Sequence, residues 1–317
     1  MRKERDVPTM FGFAKYSIPQ VFNPIYKAFR NDRSVTGCTD RTLDTYDQTI
    51  GEFLEWCLEE GVSPRNISNS DLRAFLAYLK QRNLAPYTVH KYARSLKAFF
   101  NFAQKEGMLL QELEMPIPRR PKKPPKYLKT QQEIDAVMGA CLTDRDRAIV
   151  RLLLDSGLRR MEITALNWGD LQWNNERQVG RVVVRNGKGQ KQRRSYFTAK
   201  SWHWLKLYRD SLDEERKTPT APVFQTRRGE RLQDSGYAEL FKRLSWRSGV
   251  HVSPHMCRHT YGRNAAMVMP LPALQKTMGH SSITTTMIYA ELADDSVEEA
   301  YASGMNGNGS IANGSGS

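Results

Sequence analysis

The chain predicts a mainly α-helical protein of two domains, with one small antiparallel β-sheet in the second. Three observations carry that expectation. Apolar residues recur at helical spacing through most of the sequence. One stretch, RVVVRNGKGQKQRRSYF, breaks the pattern with β-branched residues on either side of a glycine-containing turn. A proline-rich basic segment, PIPRRPKKPPKYLK, separates two helical regions. The 317 residues suit two cores, because single domains run to roughly 100–200 residues.

The opening residues 1–33 are basic and aromatic, and they lack the continuous apolar stretch of a secretory signal. They read as an N-terminal extension, open between a DNA arm, a protomer contact and a leader. From Thr42 to Leu58 the residues Leu43, Tyr46, Ile50, Phe53, Leu54, Cys57 and Leu58 line one helical face, and Gly61 marks the stop. A second helix begins near Ser70 with Leu72, Phe75, Leu76 and Leu79 inward. A third opens at Pro86, a residue suited to a first turn, and carries Val89, Tyr92, Leu96, Phe99, Phe100 and Ala103 until Gly107. Residues 34–115 therefore form a small helical domain. Its third helix lines up Lys91, Arg94 and Lys97, which serve either as a solvated face or as a phosphate-contacting stripe.

Residues 116–128 form a stiff linker, since five prolines forbid a regular helix. Arg119, Arg120, Lys122, Lys123, Lys126 and Lys129 charge the segment far beyond what solubility needs. Contact with a phosphate backbone is the better reading. The second domain spans 129–303. It opens on a T-x-x-E capping box, Thr130 and Glu133, continues as a helix through DRDRAIVRLLLDSG, and turns to strand at the hairpin. Helices resume at KSWHWLKLYRDSL, SGYAELFKRLSWRSG and HMCRHTYGRNAAMVM. Residues 304–317 lack hydrophobic mass and predict a disordered tail.

Lys and Arg total 48 against 34 Asp and Glu, a formal charge of +14. A compact chain that repels itself so strongly points to a polyanionic partner, nucleic acid before membrane. No run of about 20 apolar residues exists to span a bilayer, so the expected location is the cytoplasm. The four cysteines, Cys38, Cys57, Cys141 and Cys257, are scattered without a CxxC pair. They offer no zinc site, and Cys57 and Cys141 read as reduced core thiols.

Four separated segments carry residues suited to a phosphodiester. DSGLRRMEITAL supplies Arg159 and Glu162, one helical turn apart. The hairpin turn supplies Lys188, with Lys191, Arg193 and Arg194 behind it. SPHMCRHTYG supplies His255, Arg258 and His259, and GHSSITTTMIYA supplies His280 and Tyr289. Two guanidinium forks, Arg159 and Arg258, match phosphate oxygens and the charge of a pentacoordinate transition state. His255 and Arg258, three apart, share a helical face. His259 lies near that face and equally suits a buried structural role. A phenol, ordinarily of pKa about 10, becomes a useful nucleophile beside cations and a histidine base. Lys188 at a turn tip can protonate a leaving oxygen.

In order, spacing and type these segments resemble the tyrosine recombinase (phage integrase) family, in its Xer- and integrase-like branch. SGLRRME matches the family's TGLR-x-x-E, GKGQKQR its GKG-x-K-x-R hairpin, HMCRHT its H-x-x-RHT box, and GHSSITTTMIY its final motif. Ser156 stands where the family usually has Thr, and Met256 and Cys257 are unusual between His255 and Arg258. The resemblance implies a SAM-like core-binding domain followed by the recombinase catalytic domain, together a C-shaped DNA clamp. It implies Arg159 and Arg258 as phosphate-activating arginines, Lys188 as general acid with Lys191 as its rival, and His255 as base or hydrogen-bond partner. It further implies His280 as second histidine, Tyr289 as nucleophile, and Glu162 and His259 in support. Arg119, Arg120, Lys122, Lys123, Lys91, Arg94, Lys97, Lys191 and Arg193 are the expected DNA contacts.

The implied function is site-specific strand exchange through a 3′-phosphotyrosyl intermediate, without metal or other cofactor. The implied partners are double-stranded recombination sites, three further copies of the chain in a tetramer on two duplexes, and accessory DNA-bending or directionality proteins. A type IB topoisomerase-like relaxing enzyme, or a catalytically silent DNA-binding regulator of the same fold, are the alternatives.

Overall fold

The computed structural model describes residue 18 and residues 22–63, 66–109, 112–119, 124–185 and 192–293. The chain divides into two compact units, residues 1–123 and 124–317, and the division falls in the basic proline-rich connector.

Among the described residues, the first unit is four helices: α1 (Asn23–Val35), α2 (Asp40–Glu59), α3 (Asn69–Gln81) and α4 (Pro86–Lys105). Their ends lie where local chemistry places them. Ser68 and Asp71 form a reciprocal capping box at the start of α3. Gly61 and Gly107 take left-handed φ of 70° and 65° just beyond α2 and α4, a conformation that costs glycine nothing. The core is aromatic, with Phe53 set edge-on to Phe75 at 5.0 Å and to Phe100 at 5.6 Å.

The expected domain boundary at residue 34 requires correction. It lies inside α1, and that helix buries Tyr26 and Phe29, with Phe22 at its N-cap, in the same core as α2 and α4. Phe29 meets Tyr46 edge-on at 5.1 Å and Phe99 at 5.4 Å. At least residues 22–33 are thus part of the helical unit rather than an extension to it, because three large side chains lose their water only there. Residues 1–17 and 19–21 lie outside the described residues.

The second unit begins with α5 (Gln131–Gly139), whose Thr130–Glu133 capping box forms as expected, and α6 (Asp144–Ser156). After α7 (Arg160–Ala165) come β1 (Leu171–Asn174), β2 (Val179–Val184) and β3 (Arg193–Thr198), an antiparallel sheet in the order 1-2-3. Val184 pairs with Arg193 at the end of the β2–β3 ladder nearer the connection between the two strands. Then follow α8 (Ala199–Asp210), α9 (Asp234–Ser248), α10 (Pro254–Ala266), α11 (Leu271–Met278) and α12 (Thr284–Ala293). Helices α6, α8 and α10 pack around one main core, and α10, α11 and α12 enclose a satellite cluster of Tyr261, Ala265, Leu274, Met278 and Tyr289. The Pro270 to Pro272 stretch, which interrupts the helical pattern, is the start of α11, where two prolines cost no hydrogen bond.

The four cysteines are free, and Cys57, Cys141 and Cys257 are buried. Among the described residues, no helix is long and apolar enough to cross a membrane. The expected tail, residues 304–317, lies outside the described residues.

Candidate active site

Helix α6 ends at Gly157, left-handed at φ 59°, and Arg159 becomes the N-cap of α7 two residues later. Glu162 falls at the third position of α7, where it accepts from the Arg159 backbone amide at 2.7 Å and from Arg159 Nη1 at 2.8 Å. A carboxylate there suits the unpaired amides and the positive end of the helix dipole. Glu162 is 5% exposed. Burial pushes its carboxyl up, but Arg193 and Arg159 outweigh that and hold it below the usual range.

Helix α10 starts from Ser253, whose hydroxyl accepts from the Met256 amide at 3.2 Å, with Pro254 in the first turn. It presents His255 exposed, Arg258 at 3% exposure and His259 half-buried. Arg258 donates to the Gly157 carbonyl, to the Met278 carbonyl at 2.7 Å, and through the same Nη2 to His280 Nε2 at 3.0 Å. A guanidinium has only donors, so His280 Nε2 accepts. Its proton is therefore on Nδ1, which donates to Thr286 Oγ1 at 2.9 Å. Burial, then Arg258 and Arg159, push His280 down to about 4. Burial and Arg159 bring Arg258 down to about 10, so it remains a cation at neutral pH.

Tyr289, on α12, is 1% exposed and packs on α10 where Gly262 leaves room; a Cβ at 262 would sit 2.6 Å from the phenol ring. The hydroxyl shares a hydrogen bond of 2.8 Å with His259 Nδ1. Burial raises the phenol to about 12, although Arg258 and Arg159 pull the other way. His259 is pushed down to about 4 by burial, His255 and Arg258. The His255 ring stands edge-on to that of His259 at 4.3 Å and is itself lowered by burial and the two arginines. The imidazole that touches the phenol is thus that of His259, not the expected His255. His280 lies parallel to the phenol ring at 6.1 Å.

The structure brings Arg159, Glu162, His255, Arg258, His259, His280 and Tyr289 together from three separated stretches of chain. Lys188 and Lys191 lie outside the described residues, as do Arg120, Lys122 and Lys123. Arg94, Lys97 and Arg119 are exposed, and Lys91 is half-buried, donating to Gln48 Oε1 at 3.4 Å.

Arg193 is a correction. Its side chain is 8% exposed and ion-paired to Glu162 at 2.5 Å, with Nη1 donating to the Thr277 carbonyl. A DNA phosphate would have to displace both partners. Strand alternation held the signal: in RRSYF, Arg193 falls on the inward face with Ser195 and Phe197, and Arg194 on the solvent face. Sequence reasoning also missed Thr286 and Gly262. A glycine inside a helical pattern, as in TYGRN, is the signal that a close neighbour is expected.

Residues 128–296 match the Phage integrase family, and residues 25–106 match the Phage integrase N-terminal SAM-like domain. The tyrosine recombinase XerD of Ralstonia nicotianae is 30% identical over 280 residues, 84% of this chain and 88% of that protein. The tyrosine recombinase XerC of Oceanobacillus iheyensis is 28% identical over 275 residues, 82% of this chain and 88% of that protein. The XerH recombinase, solved as a post-cleavage complex with a palindromic difH substrate, superposes with a TM-score of 0.68 at 20% identity, over 88% of this chain and 83% of that one. That likeness extends the shared fold across both units.

Proposed function

The chain belongs to the phage integrase family of tyrosine recombinases, DNA breaking-rejoining enzymes that act at specific sites, and on that premise we propose that Tyr289 is its nucleophile. The observation that carries this reading is the convergence on one phenol of two arginines and two histidines from α7, α10 and the α11–α12 turn.

The chemistry is transesterification. Tyr289 Oη attacks a backbone phosphorus, the phosphorus–O5′ bond breaks, and the departing oxygen takes a proton from Lys188. The phenol proton passes to an imidazole, with His259 in contact and His255 exposed beside it. The 3′-phosphotyrosyl bond keeps the energy of the original ester, so a 5′-hydroxyl from another strand reverses the step. Arg159 and Arg258 supply the positive charge that meets the extra negative charge on the phosphorane. Two of the Arg258 nitrogens are already anchored on backbone carbonyls, so its position costs little to fix when phosphate arrives. Because Tyr289 is buried, α12 must shift before the phenol reaches DNA.

Phosphate contacts from Lys91, Arg94, Lys97, Arg119 and the other basic residues of the connector would supply affinity without sequence preference. Four copies on two duplexes, assisted by DNA-bending or directionality proteins in the cytoplasm, complete the reading. The test is to sequence DNA covalently trapped on the enzyme and place two copies of that site on one supercoiled plasmid. Exchange between the sites supports a recombinase. Relaxation of a one-site plasmid without exchange would make the chain a topoisomerase-like enzyme instead.

A further inference from the structure

Three guanidiniums converge on the C-terminus of α11, each taking one of three successive carbonyls: Arg193 takes Thr277, Arg258 takes Met278 and Arg159 takes Gly279. The last carbonyls of a helix have no partner within it and carry its negative end. The next residue is His280, held in turn by Arg258. Gly279 is left-handed at φ 64°, and a Cβ there would stand 2.6 Å from Arg193 Cδ. The absence of a side chain at 279 is what lets Arg193 reach the helix end.

The three arginines differ in what they have left to give. Arg193 spends Nε and Nη2 on Glu162, at 3.4 Å and 2.5 Å, and Nη1 on Thr277. Glu162 is shared, because Arg159 Nη1 and its backbone amide also hold it. With Arg159, Arg193 and Arg258 against Glu162, the cluster carries a net charge of +2. Removing Arg193 leaves +1, and it leaves Arg159 alone against a buried carboxylate, so that ion pair becomes neutral.

We infer that Arg193 is a positioning residue of the strand-exchange site: it occupies Glu162 so that Arg159 keeps its charge for phosphate, and it fixes the α11 terminus that orients His280. This rests on the assignment of Arg159, Arg258 and Tyr289 made above. Arg193 touches no substrate, so its loss acts on DNA affinity only through the single Arg159 contact, whereas the cleavage step depends on it strongly.

The test uses the full chain and a nicked suicide duplex carrying the trapped target site, with R193Q, R193K and the double variant E162Q/R193Q. Single-turnover formation of the covalent adduct and DNA binding across a salt series are both measured. The expected result for R193Q is a fall of about 10²-fold in adduct formation, the scale of a misplaced catalytic group, with a salt slope that falls by no more than the roughly 0.9 of the single Arg159 contact. The double variant restores the cluster to +2, and adduct formation is expected to recover at least about 10-fold over R193Q, a rescue that a merely structural role would not produce.

If R193Q does not fold, R193K answers the question. One ammonium cannot hold both Glu162 and Thr277 in the guanidinium's geometry, so cleavage falls while binding does not. A shallower salt slope by roughly 0.9, the signature of one lost phosphate contact, with cleavage unchanged, would overturn the inference. So would wild-type cleavage in R193K together with no rescue in the double variant. Failure of the wild-type enzyme to form any adduct would instead strike at the function itself.

Discussion

The hydroxyl of Tyr289 lies 2.8 Å from Nδ1 of His259, and the two residues hold each other beneath the surface of α10 and α12. A phenol raised to about 12 beside an imidazole lowered to about 4 does not give up its proton. If Tyr289 is the nucleophile, as proposed, this arrangement is a resting one, with the phenol's hydrogen bond satisfied. On the proposed assignment, a DNA phosphate at Arg159 and Arg258 would offset the two cations that now pull the phenol downward.

Breaking the pair has a measurable cost. His259→Ala leaves a buried hydroxyl without its partner, a loss of about 1–3 kcal/mol, read as a lower urea midpoint. In a double-mutant cycle with Tyr289→Phe, the coupling energy should be about 0.5–1.5 kcal/mol. A coupling near zero would mean the bond adds nothing to the folded state.

The histidines predict a pH dependence with a definite sign. His259 and His280 fall from an ordinary 6.5 to about 4 in the folded chain. Between those values the unfolded chain binds more protons, so stability rises with pH through that window. The contribution is fully present above pH 6.5 and is lost as pH falls toward 4. In an NMR titration, the ring signals of both residues should stay at their neutral positions down to about pH 5. Protonation of either at pH 6–7 would contradict the burial described.

Phe29 tests the extent of the helical unit. Phe29→Ala removes a ring packed edge-on against Tyr46 and Phe99, and large-to-small changes of this kind cost about 3–5 kcal/mol. Denaturant unfolding followed in the first unit should show that loss. An unchanged midpoint would return α1 to the role of a detachable arm.

The α4 stripe should act through charge alone. Replacing Lys91, Arg94 and Lys97 together with alanine should weaken binding to all duplexes alike and reduce the salt slope by up to about 3, at roughly 0.9 per phosphate contact. A loss confined to one DNA sequence would show that these residues read bases.

What the sequence made legible was mostly local. Pro86, Gly107 and the Thr130–Glu133 box mark helix ends because capping is settled within four residues. The resemblance of their motifs to one family implied a shared site for Arg159, His255, Arg258, His280 and Tyr289, which no single motif carried alone. Depth was harder to read. His255 and His259 lie one turn apart on α10, and only the packing of α12 decides that His259 meets the phenol. Arg193 is buried because Glu162, 31 residues earlier in the chain, pairs with it. Basic composition masked α1 in the same way, since Phe22, Tyr26 and Phe29 declare a core only when α2 and α4 are beside them.

The central claim is that Tyr289 forms the covalent bond to DNA, and peptide mapping of the adduct on a suicide substrate tests it most directly. The account predicts a single DNA-bearing peptide containing Tyr289, joined through a 3′-phosphate, and its complete loss in Tyr289→Phe. An adduct on any other residue, or one that survives Tyr289→Phe, would contradict it.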